Sequence, residues 1–173
     1  MKNIYSKRAP WKGKITSKYI GVSGGTFKTF LNNPSYFKKL KETSPDIVVA
    51  ILGGNDIKDE ATLDRNFKEC LSFYKTLRQT VPNAYILASQ VETRYCRPNN
   101  RHGCPTHPIF DDLRRRFNKF LEDLKYHDFV LEIEGDEHLD GRENYRDGVH
   151  LSNKGFEKYL DIIQCSLLSA SCP

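Results

Sequence analysis

Acidic side chains are missing from the start of this chain. Residues 1–41 hold ten Lys or Arg and no Asp or Glu, a local charge of +10, while the remaining 132 residues hold seventeen basic and twenty-two acidic groups, or −5. The net charge of +5 hides that division. No apolar run approaches the ~20 residues of a helical membrane span. Met1-Lys2-Asn3-Ile4-Tyr5 lacks the apolar stretch of a secretory leader, so reduced thiols in a cytoplasmic setting are the default expectation. The five cysteines (Cys70, Cys96, Cys104, Cys165, Cys172) are odd in number and irregularly spaced, which argues against a disulfide framework. Also missing from all 173 residues is a nucleophilic serine in a Gly-Asp-Ser turn.

What is present reads as one globular domain: 38% hydrophobic and 28% charged residues over a length sufficient for a real core. Residues 1–17, with Pro10, Gly13 and five basic side chains, read as a basic arm, and 18–173 as the folded domain. A short strand is expected at Tyr19–Val22, then two helical pieces around Phe27–Leu31 and Tyr36–Leu40, broken by Asn33-Pro34. Asp46–Leu52 is a continuous β-branched run, the pattern of a central parallel strand buried on both faces. Leu63, Phe67, Cys70, Leu71, Tyr74 and Leu77 recur at helical spacing over 60–80. Strands at Ala84–Ser89 and Asp128–Ile133 enclose a helix opened by Pro108, with Ile109, Leu113, Phe117, Phe120, Leu121 and Leu124 as its apolar stripe. Ser152 is positioned to cap a last helix, Phe156–Leu168. Alternation of this kind predicts an α/β domain with a parallel sheet. Cys70 and Cys165 are expected in the core, and His127 and His138 at the surface.

Ligands of such sheets bind beyond the carboxyl ends of the strands. Three loops fall there: Gly21-Val22-Ser23-Gly24-Gly25-Thr26, Gly53-Gly54-Asn55-Asp56 and Asp147-Gly148-Val149-His150. One turn of chain between Asp147 and His150 lets the carboxylate orient an imidazole base, as in a Ser-His-Asp site. A glycine-loop N–H and an Asn carboxamide are both suitable donors to an oxyanion. On residue chemistry alone, Asn55 can equally tie two loops together, and His150 can be a structurally bonded residue ahead of a helix.

In this order the three blocks resemble the SGNH (GDSL-type) family of esterases and lipases, over about residues 18–170. The resemblance implies a flavodoxin-like three-layer α/β/α sandwich that hydrolyses acyl esters without a cofactor. It implies His150 as base, Asp147 as its orienting acid, and Gly24 N–H with Asn55 as oxyanion donors. The family's first block is Gly-Asp-Ser after a central strand, and this chain has neither. Ser6 and Ser17 lie in basic, turn-poor contexts, and Ser23 lies within the glycine loop. The resemblance therefore implies a copy truncated before its first central strand, or inactive for want of a nucleophile. The alternative is a non-catalytic module of the same fold whose basic first third makes weak contact with polyanions. Lys28-Thr29 lacks the preceding glycine of a phosphate loop. Cys96, His102, Cys104 and His107 could suit zinc by type but not by spacing, so a polar loop or a Cys96–Cys104 disulfide is expected there and no metal site is assigned.

Overall fold

The computed structural model describes residues 16–94, 108–133, 142–146 and 149–170. In chain order these form α1 (Phe27–Leu31), α2 (Ser35–Thr43), β1 (Ile47–Ala50), α3 (Glu60–Thr80), β2 (Tyr85–Ser89), α4 (Pro108–Glu122), β3 (Phe129–Leu131), a 3-10 turn (Arg142–Asn144) and α5 (Asn153–Ala170). The strands make a parallel sheet in the order β1-β2-β3, with Ala50 opposite Ala88 and Ser89 opposite Leu131. The α/β class and the expected helices and strands after residue 26 are present, with boundaries moved by a few residues.

The helices begin and end where local chemistry says they should. Asp59 caps α3 by accepting from Thr62 N at 2.9 Å, and Val81-Pro82 follows its last turn. Pro108 opens α4, where its missing N–H leaves no bond unmade. Ser152 Oγ accepts from Gly155 N at 3.1 Å and so caps α5.

Alternating strand residues serve two different cores. Val48, Ala50, Ile86, Ala88 and Val130 face α1, α3 and α4, whose Phe27, Phe73, Tyr74 and Phe117 form the larger cluster. Val49 and Leu131 face α5, with Tyr159 and Ile163. Tyr159 also donates from its hydroxyl to Ser89 Oγ at 2.8 Å, tying α5 to the end of β2.

Several expectations are corrected. No strand forms at Tyr19–Val22: a strand needs a ladder, and no described strand lies beside this segment to supply one. Residues 17–20 instead border an open groove against Lys39, Glu42 and Thr43 of α2. Asp46–Leu52 is not a central strand covered on both faces. Its ordered part, β1, is an edge of the described sheet, leaving Ile47 45% and Ile51 55% exposed. Leu71 and Ile109 are exposed because each helix is rotated slightly: Phe73 and Phe110 take the inward positions. Cys165 is exposed, unlike the fully buried Cys70. His127 is half-buried, bonded through Nε2 to Leu121 O at 2.8 Å and set edge-on against Tyr74. Residues 1–15, Cys96, His102, Cys104, His107, His138 and Cys172 lie outside the described residues.

Phe117 is fully buried and stacks on Phe27 with ring centroids 5.9 Å apart. Truncating such a ring removes its burial and leaves a cavity. Phe117→Ala is expected to lower the unfolding free energy by about 3–5 kcal/mol in urea denaturation. A loss below about 1 kcal/mol would mean that the aromatic cluster is not the core of the fold.

Candidate active site

The site grows from the turn that follows β1. Gly53 has φ +110°, and a Cβ there would lie 2.7 Å from Val91 Cγ2 and 3.0 Å from Phe117 Cε1. Both the backbone and the packing require glycine. Gly53 O accepts from Asp56 N at 2.9 Å and from Ile57 N at 3.2 Å, closing the turn. The next two side chains then point in opposite senses: Asn55 is exposed and Asp56 is buried.

Both reach the glycine loop. Asn55 Nδ2 donates to Gly25 O at 3.2 Å, and Asp56 Oδ1 accepts from Phe27 N, in the first turn of α1, at 3.1 Å. That loop is itself a tight turn, with Gly25 N donating to Val22 O at 3.0 Å and Gly24 at φ +68°. A Cβ at Gly24 would meet nothing within 4 Å, and the residue is exposed. Its N–H donates to no group among the described residues. Asn55 does tie two loops together, as residue chemistry alone allowed, and it spends one of its two amide hydrogens in doing so. Ser23 is exposed in the same turn, with no described strand ahead of it to form a strand-to-helix elbow.

The loop after β2 forms a third wall. Asn118 of α4 accepts from Val91 N at 2.8 Å and donates to Val91 O at 3.2 Å, while the buried Arg114, forked onto Asp111, donates to Val91 O at 3.3 Å. This clamp fixes the course of the next three residues. Burial pushes the Glu92 carboxyl up to about 7. Arg94 lies over the Phe110 ring, 4.4 Å from its centroid, and donates through Nη2 to Gly54 O.

His150 stands on a separate support. Tyr145 and Leu151 form an antiparallel bridge, Arg146 N donates to His150 O at 2.7 Å, and Ser152 N donates to Asn144 O at 2.7 Å. The backbone is therefore pinned on both sides of the exposed imidazole. Gly155 is needed beneath it, because a Cβ there would lie 2.0 Å from Asn144 O. Asp147 lies outside the described residues. The structure thus brings Gly24 and Asn55 together, and places His150 on the hairpin leading into α5, which packs on β3. Asn66, which donates to Asp56 O at 2.6 Å, and the Arg114–Asn118 clamp went unnoticed in the sequence. Their one signal is a polar residue interrupting an otherwise apolar helix face.

The described structure is thus a parallel α/β sheet with a glycine turn and the Asn55 carboxamide beside each other after its strands. The chain belongs to the GDSL-like lipase/acylhydrolase family, whose model matches residues 4–158. Among solved structures it is similar to a GDSL-like lipase from Bacteroides thetaiotaomicron, at 18% identity and TM-score 0.59, covering 85% of this chain and 73% of that one. It is similar to an acetyl xylan esterase at 17% identity and TM-score 0.61, covering 85% and 78%. A carbohydrate esterase family 3 protein from Talaromyces cellulolyticus matches at 15% identity and TM-score 0.61, covering 85% and 68%. At such identities these likenesses speak for the fold alone. No curated protein matches in sequence. Among the described residues no helix is long and apolar enough to cross a membrane, and no cluster of three or more His, Cys, Asp or Glu is placed to hold a metal.

Asp56 gives the site a pH signature. It is 5% exposed and its Oδ2 has no hydrogen-bond partner. Burial raises its pKa from 3.8 to about 6, against the lowering effect of Phe27 N–H. A raised folded-state pKa adds stability that is fully present below about 3.8 and is lost as pH rises through about 6. A rise of that size corresponds to about 3 kcal/mol. Asp56→Asn keeps an acceptor for Phe27 N and cannot ionise, so its melting temperature is expected to change less than that of the parent between pH 4 and 7. Equal pH dependence in both proteins would show that Asp56 is not the titrating group.

Proposed function

We propose that residues 18–173 form a flavodoxin-like α/β/α sandwich short of one central strand. On this reading its carboxyl edge carries the base and oxyanion half of a Ser-His-Asp ester-hydrolase site. Gly24 N–H and the remaining Asn55 amide hydrogen receive the carbonyl oxygen as it becomes an oxyanion, each worth about 3 kcal/mol of barrier. His150 takes the proton from an attacking hydroxyl and returns it to the leaving alkoxide, with Asp147 holding the imidazole in the correct tautomer. The observation that carries this reading is the Asn55–Gly25 bond, which ties the carboxamide to the residue next to the exposed Gly24. The exposed Ile47 on β1 and Ile51 just past its end support a place for a further strand at that edge. Because the 173 residues hold no Gly-Asp-Ser, this reading expects no ester turnover from them.

The test uses 4-nitrophenyl acetate and a serine-directed fluorophosphonate. The 173-residue chain is expected neither to turn over the ester nor to be labelled. A form extended by a strand and a Gly-Asp-Ser turn should hydrolyse it. In that form His150→Ala should abolish the activity, and Asn55→Ala should lower kcat about 100- to 1000-fold. An extended form inert on every acyl ester would overturn the hydrolase reading. Labelling of Ser23 in the shorter chain, lost in His150→Ala, would overturn the claim that the nucleophile is missing.

The charge asymmetry favours a second reading, a non-catalytic module that contacts acidic polymers through residues 1–41. It predicts heparin binding that weakens steeply from 50 to 200 mM salt. Absence of binding at low salt, or binding indifferent to salt, removes it.

A further inference from the structure

Arg94, at the lip of the candidate site, is a cation with no counter-ion among the described residues. Its guanidinium is half-buried, lies over the Phe110 ring at 4.4 Å and donates through Nη2 to Gly54 O, the carbonyl preceding Asn55. No carboxylate pairs with it among the described residues, whereas two arginines of α4 are forked onto acids: Arg114 onto Asp111 at 2.7 Å and Arg116 onto Glu60 at 2.6 Å. Nor does the chain beyond it supply one nearby in sequence, since residues 95–107 contain no Asp or Glu. Burial lowers the Arg94 pKa, and no neighbouring charge opposes that effect.

A half-buried guanidinium with no acid beside it among the described residues is unfavourable, and a chain that only needed to staple Gly54 could do so with a neutral donor. The support around Arg94 points to use rather than accident. Stacking on Phe110 fixes the plane of the fork, the Gly54 bond uses one of its donors, and the remaining N–H groups, which bond to nothing among the described residues, suit two-point recognition of an oxyanion. The Val91 clamp from Asn118 and Arg114 holds the segment that carries Arg94 in place. Gly54 is adjacent to the carboxamide at which an ester carbonyl would dock.

We propose that Arg94 is a specificity residue that binds an anionic group, carboxylate or phosphate, carried by the substrate close to its ester. This rests on the reading of the Gly24–Asn55 edge as an ester-binding site, and it narrows the substrate class to acidic esters. Binding requires no nucleophile, so it is measured on the 173-residue chain itself.

The experiment is a titration followed by the Arg94 Nε–H signal in nitrogen-15 NMR. The three probes are monomethyl succinate, inorganic phosphate and the neutral dimethyl succinate. Monomethyl succinate or phosphate should shift the signal, and the stronger of the two identifies the anion class. Dimethyl succinate should bind at least tenfold more weakly than the preferred anion. Arg94→Gln should weaken anion binding at least tenfold, and Arg94→Lys, which keeps the charge but loses the fork, by a smaller factor. Unchanged melting temperature in Arg94→Lys shows that the loss is not one of folding. Equal binding of the neutral diester, no binding of either anion, or Arg94→Gln within twofold of the parent would each overturn the proposal. Those outcomes are distinct from failure of the hydrolase reading, which is scored by turnover of neutral esters in the Gly-Asp-Ser form.

Discussion

The turn at Gly53 is the constraint on which the candidate site depends. A residue with a side chain there would collide with Val91 and Phe117, so the position admits glycine in a left-handed conformation and little else. From that fixed point the chain sends Asn55 out to Gly25 and Asp56 inward to Phe27. Two loops that are 30 residues apart in sequence are thereby held as one unit. The same turn leans on the loop after β2, through Val91 packed against Gly53 and Arg94 bonded to Gly54. Loosening it would disturb every described wall of the site except the hairpin that carries His150.

The sheet sets the second constraint. With three parallel strands, β2 is the one paired on both sides, and its Ile86, Leu87 and Ala88 are fully buried. β1 has a sequence suited to the same burial, yet Ile47 remains 45% exposed. Hydrophobic composition specifies what a strand can bury, and its neighbours decide whether it does. Likewise Tyr19–Val22 has strand-like residues but no ladder partner in the described structure.

Buried polar residues link fold and site. Asn66 holds the Asp56 carbonyl, Asn118 pairs with both backbone groups of Val91, and Arg114 adds a charge-assisted bond to the same carbonyl. Each sits on a helix face that is otherwise apolar. Left unpaired, each would be costly, and paired, each locates an irregular loop against a rigid element. The loop contents are thereby positioned by helices that take no part in the proposed chemistry.

Much of this was legible from residue order. Period-3.6 stripes located α3, α4 and α5, short apolar runs located the three described strands, and Ser152 and Pro108 marked helix starts. These signals are local, because they arise from side-chain spacing and from capping within a few residues. The Gly53-Gly54-Asn55-Asp56 and Asp-x-x-His blocks were likewise readable as chemistry in order along a chain. Tertiary structure alone decided the rest. The inward positions of Phe110 and Phe73 in place of Ile109 and Leu71 depend on how each helix is rolled against the sheet. The Asn55–Gly25 tie, the Val91 clamp and the placement of Arg94 over Phe110 join residues 16 to 40 positions apart. No local rule encodes such pairings, since each exists only once the packed strands and helices have brought its partners together.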